Sequence, residues 1–343
     1  MKNKSTMKKI SAIWILFAIA LLASCTASNT SNNNEINVRT GFAGLNLELL
    51  KNTPPQKVFE GDIFPFIVKI KNNGAYSIKN DKKAIISLSV EKDYTRNVQL
   101  LNEGKLEIAE GKSSSAYFTI PGRTQIDPKG GEEIISYNIQ AGRIDPQSEF
   151  HNSIAIAAVC YPYETVLGAT VCVDTDVTNL RPGKKVCNAQ DLVFPTGQGA
   201  PVAITKIETR MLPFEISPGS ASTNEIRPQF LIYVENKGPG LVIKEESVSD
   251  FCTKSSTDHG NYNIVYVDAY LSDKKLVCQL DKEPESQDLG HIKLKDKKDI
   301  IRCYQEEGVP RNYDPYLSPL KIEMRYGYTQ SVSAAYFIMK PTN

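Results

Sequence analysis

The sequence predicts an all-β protein, with two tandem β-sandwiches behind an N-terminal export signal. Three observations carry that expectation. The stretch Phe66-Ile67-Val68-Lys69-Ile70-Lys71-Asn72-Asn73-Gly74 alternates apolar and polar residues and ends in Asn-x-Gly. That is the pattern of a half-buried strand running into a turn, where Asn and Gly tolerate positive φ. The pattern returns as Phe230-Leu231-Ile232-Tyr233-Val234-Glu235-Asn236-Lys237-Gly238. Finally, Arg325-Tyr326-Gly327-Tyr328 echoes Cys160-Tyr161-Pro162-Tyr163. The offset from Tyr161 to Tyr326 is 165 residues and from Phe66 to Phe230 it is 164, so one unit copied once accounts for both.

The chain opens with Lys2, Lys4, Lys8 and Lys9, followed by the apolar run Ile10 to Leu22 with Trp14 and Phe17. That run is shorter than the roughly 20 residues of a membrane span and fits the hydrophobic core of a signal peptide. Leu22-Ala23-Ser24-Cys25 resembles the lipobox of prokaryotic lipoproteins. The resemblance implies cleavage before Cys25, diacylglycerol on its thiol and, with no twin-arginine pair, the general secretion route. An ordinary secretory signal or an uncleaved anchor is the other reading. Residues 1–24 are thus expected to be the signal peptide and 25–40 a lipid-anchored flexible tether. Thr26 to Asn34 is too polar to bury a core, and Asn29-Thr30-Ser31 matches a glycosylation sequon.

The first sandwich is expected over 41–178. Leu45, Leu47 and Leu49 alternate, Thr53-Pro54-Pro55 breaks the strand, and the repeated strand follows at Phe64–Lys71. Further strands are expected at Ala84–Val90, Leu106–Ile108, Ala116–Ile120 and Ile134–Ile139, separated by turn clusters such as Pro128-Lys129-Gly130-Gly131. Short strands at roughly ten-residue intervals indicate a sandwich or barrel. Ser153–Tyr163 and Leu167–Val173 read as a hairpin turning near Glu164–Gly168, which would set Cys160 opposite Cys172.

The second sandwich is expected over 179–343, after the polar junction Thr178–Lys185. Its strands are read at Ala203–Ile207, Gln229–Glu235, Ile264–Leu271, Lys275–Leu280, Ile292–Leu294, Ile300–Tyr304 and Leu320–Tyr328. A terminal strand at Ala334–Met339 would match Val171–Val173. This repeat of strand, Asn-x-Gly turn and following strand resembles the immunoglobulin-like sandwiches of the CARDB type. It is most similar to uncharacterised archaeal exported proteins with the Cys-Tyr-Pro-Tyr segment and the Gly197-Gln198-Gly199-Ala200-Pro201 turn. The resemblance implies two immunoglobulin-like β-sandwiches that act as spacers, adhesion modules or protein-binding modules, and it offers no catalytic residues.

Beyond Cys25 there are six cysteines: Cys160, Cys172, Cys187, Cys252, Cys278 and Cys303. An even number in an exported chain suggests disulfides, with 15 connectivities open. The pairs expected are Cys160–Cys172 across the hairpin, Cys278–Cys303 between later strands, and Cys187–Cys252 by exclusion. Zinc is the rival reading, but there is no Cys-x-x-Cys pair and His151, His259 and His291 are scattered.

Other constellations carry little chemistry. Gly197-Gln198-Gly199 lacks the third glycine of a dinucleotide loop, because Val202 stands there. Gly219-Ser220-Ala221-Ser222 is not a nucleophile elbow. Asp174-Thr175-Asp176 offers hard oxygens for Ca²⁺ or is a plain loop. Tyr313, Tyr316, Tyr326 and Tyr328 suggest a sugar platform, or simply strand packing. Without Lys2, Lys4, Lys8 and Lys9 the chain has 36 basic and 39 acidic residues, a net −3, which does not favour nucleic acid.

The reading is therefore a cell-surface protein held to the membrane or envelope by lipid on Cys25, with no catalytic residue, metal or cofactor. It would serve a structural or adhesive role, binding another surface protein or an envelope polymer. A substrate-binding lipoprotein of an envelope transporter is the alternative, although no alternation of strands and helices around a cleft is visible. An envelope hydrolase comes third.

Overall fold

The structure is a computed structural model that describes residues 37–101, 106–109, 114–214, 224–254, 258–280 and 290–341. The signal peptide, Cys25 and the tether as far as Ile36 lie outside the described residues, as does Gly219-Ser220-Ala221-Ser222.

In the first half the strands are β1 (Leu45–Leu49), β2 (Lys57–Phe59), β3 (Ile63–Asn72), β4 (Ala84–Val90), β5 (Thr95–Leu101), β6 (Glu107–Ile108), β7 (Ser115–Phe118), β8 (Glu132–Ala141) and β9 (Phe150–Val173). In the second they are β10 (Leu192–Val193), β11 (Val202–Phe214), β12 (Glu225–Asn236), β13 (Leu241–Ile243), β14 (Ile264–Leu271), β15 (Lys274–Lys275), β16 (Val277–Leu280), β17 (His291–Lys293), β18 (Lys298–Tyr304), β19 (Val309–Pro310) and β20 (Tyr316–Met339). A six-residue helix, α1 (Val248–Thr253), follows β13.

The duplication read from the sequence is a duplication of topology. One sheet runs β1-β3-β8-β5, and its counterpart runs β11-β12-β18-β16 with β10 added outside β11. Phe66 on β3 and Phe230 on β12 are both buried at the corresponding place, the second strand of each sheet. Setting aside the short strands, this order is that of the four-stranded sheet of an immunoglobulin sandwich, in which the first strand lies beside the second, the second beside the fifth and the fifth beside the fourth. The facing sheet has β4 beside β9 in the first half and β14 beside β20 in the second.

An immunoglobulin sandwich would continue with a last strand next to β9 and next to β20. Here each takes the other as that neighbour. β9 and β20 are both 24 residues long and pair antiparallel along their whole length, from Phe150↔Met339 to Val173↔Tyr316. The equivalent residues Pro162 and Gly327 face each other in this register, so the pseudo-twofold relating the halves passes between them. The pairing joins the halves in one ten-stranded sheet, and an edge that would stay open in either half is closed.

Each long strand therefore serves both sandwiches. On β9 the inward residues run Ser153, Ala155, Ala157, Val159, Tyr161, Tyr163, Thr165, and then Leu167, Val171 and Val173, all in one burial pattern. On β20, Leu320 to Tyr328 line the second half, while Tyr336 and Ile338 enter the first, where Tyr336 packs 4.9 Å from Phe64. The expected hairpin at Glu164–Gly168 does not form. β20 supplies hydrogen-bond partners to β9 throughout this stretch, and Gly168 stands in open space in mid-strand. Likewise Leu320–Tyr328 and Ala334–Met339 are parts of one strand. From Asn37 onward the chain forms a single compact unit.

Candidate functional site at the paired long strands

Four tyrosines occupy the middle of the pair. Tyr161 lies opposite Tyr328 and Tyr163 opposite Tyr326, all buried, with ring centroids 5.6 Å and 6.3 Å apart across the strands. Their hydroxyls reach the opposing sheets, where two of them hold the Asn-x-Gly turns. Tyr163 donates to Asn72 Oδ1 at 3.4 Å, and Tyr328 to Asn236 Oδ1 at 3.1 Å. The two asparagines work alike. Asn72 accepts from the Gly74 amide and donates to the Tyr76 carbonyl; Asn236 accepts from the Gly238 amide and donates to the Gly240 carbonyl. Tyr161 accepts from the Leu45 amide, and Tyr326 accepts from the Val202 amide and meets Thr165 Oγ1 at 3.1 Å.

The turn glycines are there for a different reason from the one expected. Neither Gly74 nor Gly238 has a positive φ. A Cβ on Gly74 would collide with the Tyr163 hydroxyl, and one on Gly238 with the Tyr328 hydroxyl. Glycine permits the close approach of the ring rather than a left-handed backbone.

Burial raises all four hydroxyls, Tyr328 to about 12 and the others further. Neutral at physiological pH and bonded on the inside, they act as cross-links between layers and not as acids or nucleophiles. Of the four tyrosines weighed as a sugar platform or as strand packing, Tyr326 and Tyr328 are thus interior. Tyr313 and Tyr316 are exposed, on a separate open cleft of about 340 Å³ with Gln305 and Ser318.

All six described cysteines form disulfides: Cys160–Cys252, Cys172–Cys187 and Cys278–Cys303. The last is the expected pair and lies directly across β16 and β18. Cys160–Cys172 and Cys187–Cys252 are corrected. With β9 continuous, Cys160 and Cys172 stand twelve positions apart on one extended strand, a separation of about 40 Å. Cys160 instead ties β9 to α1, and Cys172 ties the end of β9 to the junction loop.

That loop also uses the carboxylates considered for calcium. Lys185 Nζ lies 2.9 Å from Asp174 Oδ2, and Asp176 accepts from the amides of Leu180 and Arg181. Gln198 of the Gly-Gln-Gly segment is buried, bonding both the amide and the carbonyl of Ile204, so this segment is a turn leading into β11. Among the described residues, no group of three His, Cys, Asp or Glu is placed to hold a metal ion. Among the polar clusters that sequence reasoning missed, Glu91 meets His151 Nε2 at 2.9 Å and accepts from Ser153 Oγ at 3.0 Å. The serine bonds the carboxylate rather than the imidazole and is buried, which is not the geometry of an activated nucleophile.

The outer face of the ten-stranded sheet has three zones. In the middle, Val248 and Cys252 of α1 cover Ile85, Cys160 and Ile243 in a second small core. Over the second half the outward residues include a charged cluster beside Tyr270, Pro319 and the exposed Leu317: Asp268 lies 2.6 Å from Lys275 Nζ and 3.1 Å from Arg325 Nη2, with Lys321, Glu323 and Glu164 alongside. Over the first half large apolar residues are exposed among Lys57, Asn152, Ser89 and Ser333. Phe59 is 45% exposed, Phe150 53%, Ile154 40% and Ile156 37%, and the Phe337 ring packs edge-on against Phe150 at 5.7 Å.

No protein-family model matches the chain. No curated protein matches it either. Among solved structures it is similar to the Enterococcal surface protein, partial N-terminal region, with 8% sequence identity, coverage of 88% of this chain and 96% of that one, and a TM-score of 0.19. A likeness of that size is too slight to carry an argument about function.

Proposed function

We propose that the chain is a lipid-anchored, extracytoplasmic structural or adhesive module of the CARDB type, which binds another surface protein or an envelope polymer without catalysing a reaction. The observation that carries this reading is the fusion of two sandwiches into one sheet by β9 and β20. A body so joined resists bending between its halves and presents its surfaces at fixed spacing. Three disulfides suit an oxidising compartment. Lipid on Cys25 would hold the body near the membrane, since the eleven residues Thr26 to Ile36 span at most about 40 Å. Metabolic labelling with palmitate, combined with protease treatment of intact cells, tests the reading. Label on the wild type, its loss and release of the chain in Cys25→Ser, and cleavage from outside are expected. An unlabelled chain, or one protected inside the cell, would contradict it.

A further inference from the structure

The two sandwiches differ at one end of the space between their sheets. In the first half Phe64 of β3, Ile139 of β8 and Tyr336 of β20 fill that end; all three are buried, and the Phe64 and Tyr336 rings lie 4.9 Å apart. Ser153 beside them bonds Tyr336 and Glu91. Register and the repeat offset put Pro228, Gln305, Val171 and Ser318 at the corresponding places of the second half. A proline and a valine thus stand where the first half has two large rings. At this end, bordered by Gln305 and Ser318, opens the cleft of about 340 Å³ that carries Tyr313 and Tyr316.

Gln305 is the informative residue. It is only 8% exposed, and the other buried side-chain amides among the described residues are Asn72, Asn236 and Gln198. Each of those three bonds protein groups with both ends of its amide. The Gln305 amide has no hydrogen-bond partner among the described residues, yet it is not sealed in, and it opens on the cleft. A buried amide without a partner costs free energy. The fold makes no demand for one, because the first half places Ile139 there. The partner that fits is a molecule in the cleft.

The surrounding groups limit what that molecule is. Ser272 Oγ and Ser318 Oγ lie 2.8 Å apart, so one O–H bonds the other hydroxyl and the second is left to donate. Lys274 is the one charged residue lining the cleft, and its Nζ lies 2.6 Å from Glu307 Oε2, which leaves little net charge for an ion. An amide and a hydroxyl pair each donate and accept, and they match a ligand whose own groups do both. Tyr313 and Tyr316 offer ring faces to its C–H surface. A proline-rich segment could use the rings, but its prolines have no N–H to donate.

We propose that this end of the second sandwich is a subsite for a neutral saccharide, whose adjacent hydroxyls bond Gln305 and the Ser272–Ser318 pair while its ring stacks on Tyr313 or Tyr316. The volume is at the small end of the roughly 300–1,000 Å³ of ligand sites, which suits a single ring or a chain end. That the sugar belongs to an envelope polymer rests on the function proposed above; the recognition itself does not.

Nuclear magnetic resonance on the isotopically labelled chain from Thr26 onward, which contains the whole compact unit, tests it. The probes are the methyl glycosides of glucose, galactose, mannose and N-acetylglucosamine at up to about 100 mM. At least one should shift the Gln305 side-chain amide and the Ser318 backbone amide saturably, with a Kd of about 1–10 mM for so small a ligand. Gln305→Ile, which installs the first half's residue, should weaken binding at least tenfold without lowering the melting temperature. Tyr316→Ala should weaken it also, and Tyr270→Ala on the outer face should leave it as it was. Should Gln305→Ile unfold the chain, Gln305→Ala replaces it, with weakening again expected. No shift at Gln305 with any of the four sugars overturns the proposal, as does binding indifferent to position 305. Shifts at Tyr313 and Tyr316 with decaproline in place of the sugars also overturn it, by assigning the cleft to a peptide. Failure here would leave the anchored module standing, because palmitate labelling and surface proteolysis do not depend on this cleft.

Discussion

Tyr163 and Tyr328 grip the same asparagine turn in the two halves, whereas Ile156 and Lys321, at equivalent places on the outer face, share nothing in their chemistry. Inside, each half must fill a sandwich and satisfy the polar atoms of a turn, and the two copies meet these demands with the same residue types. Outside, water satisfies either choice, so the two copies are free to differ. The interior keeps the pattern of the duplication, and the outer faces have diverged from it.

The largest effect should come at high pH and should be common to both halves. An unfolded tyrosine ionises near 10, while burial holds Tyr328 up to about 12 and Tyr161, Tyr163 and Tyr326 higher. Above pH 10 the unfolded chain sheds protons that the folded chain keeps. Stability intact below 10 is therefore lost as pH rises through 12. Tyrosinate absorbance should appear in step with unfolding; ionisation of these four rings in a folded chain would break the picture of the interior.

Next come paired truncations. Phe66→Ala and Phe230→Ala should each cost about 3–5 kcal/mol in urea denaturation, and a marked inequality would mean that the two cores are not alike. Asn72→Ala and Asn236→Ala each take the side-chain partner from a turn amide and a carbonyl and remove one of the two hydrogen bonds of a buried tyrosine hydroxyl, at about 2–3 kcal/mol. The smallest effect belongs to the charged outer zone. Partial burial pushes the Asp268 carboxyl up, but Lys275 and Arg325 more than offset it and leave it below the usual range. Such solvent-screened pairs contribute under about 1 kcal/mol, so Asp268→Asn should barely move the urea midpoint. A loss comparable to the asparagine variants would show that the charged face does structural work.

The repeated strand was legible because Phe66 and Phe230 each head an alternating run, and local periodicity is what a sequence displays. Ala84–Val90 and Ile264–Leu271 were legible for the same reason and form as read. The continuity of β9 was not. Pro162 and Gly168 interrupt the apolar run, and what keeps this stretch extended is β20, some 160 residues away in the chain. The mistaken pairing of Cys160 with Cys172 followed from that hairpin. Helix α1 is only six residues long, too short to show a period. The contrast between Ile156 and Lys321 is present in the sequence, but it acquires meaning only once the register places both on one outer face.

The central claim is that β9 and β20 each complete the other half's sandwich. It is tested most directly by producing residues 25–178 and 179–343 as separate chains and following amide hydrogen exchange in each, alone and after mixing. The account predicts unprotected strands and no cooperative melting in either fragment alone, and recovery of protection along Phe150–Val173 and Tyr316–Met339 when the two are refolded together. Native-like protection in an isolated fragment would contradict it.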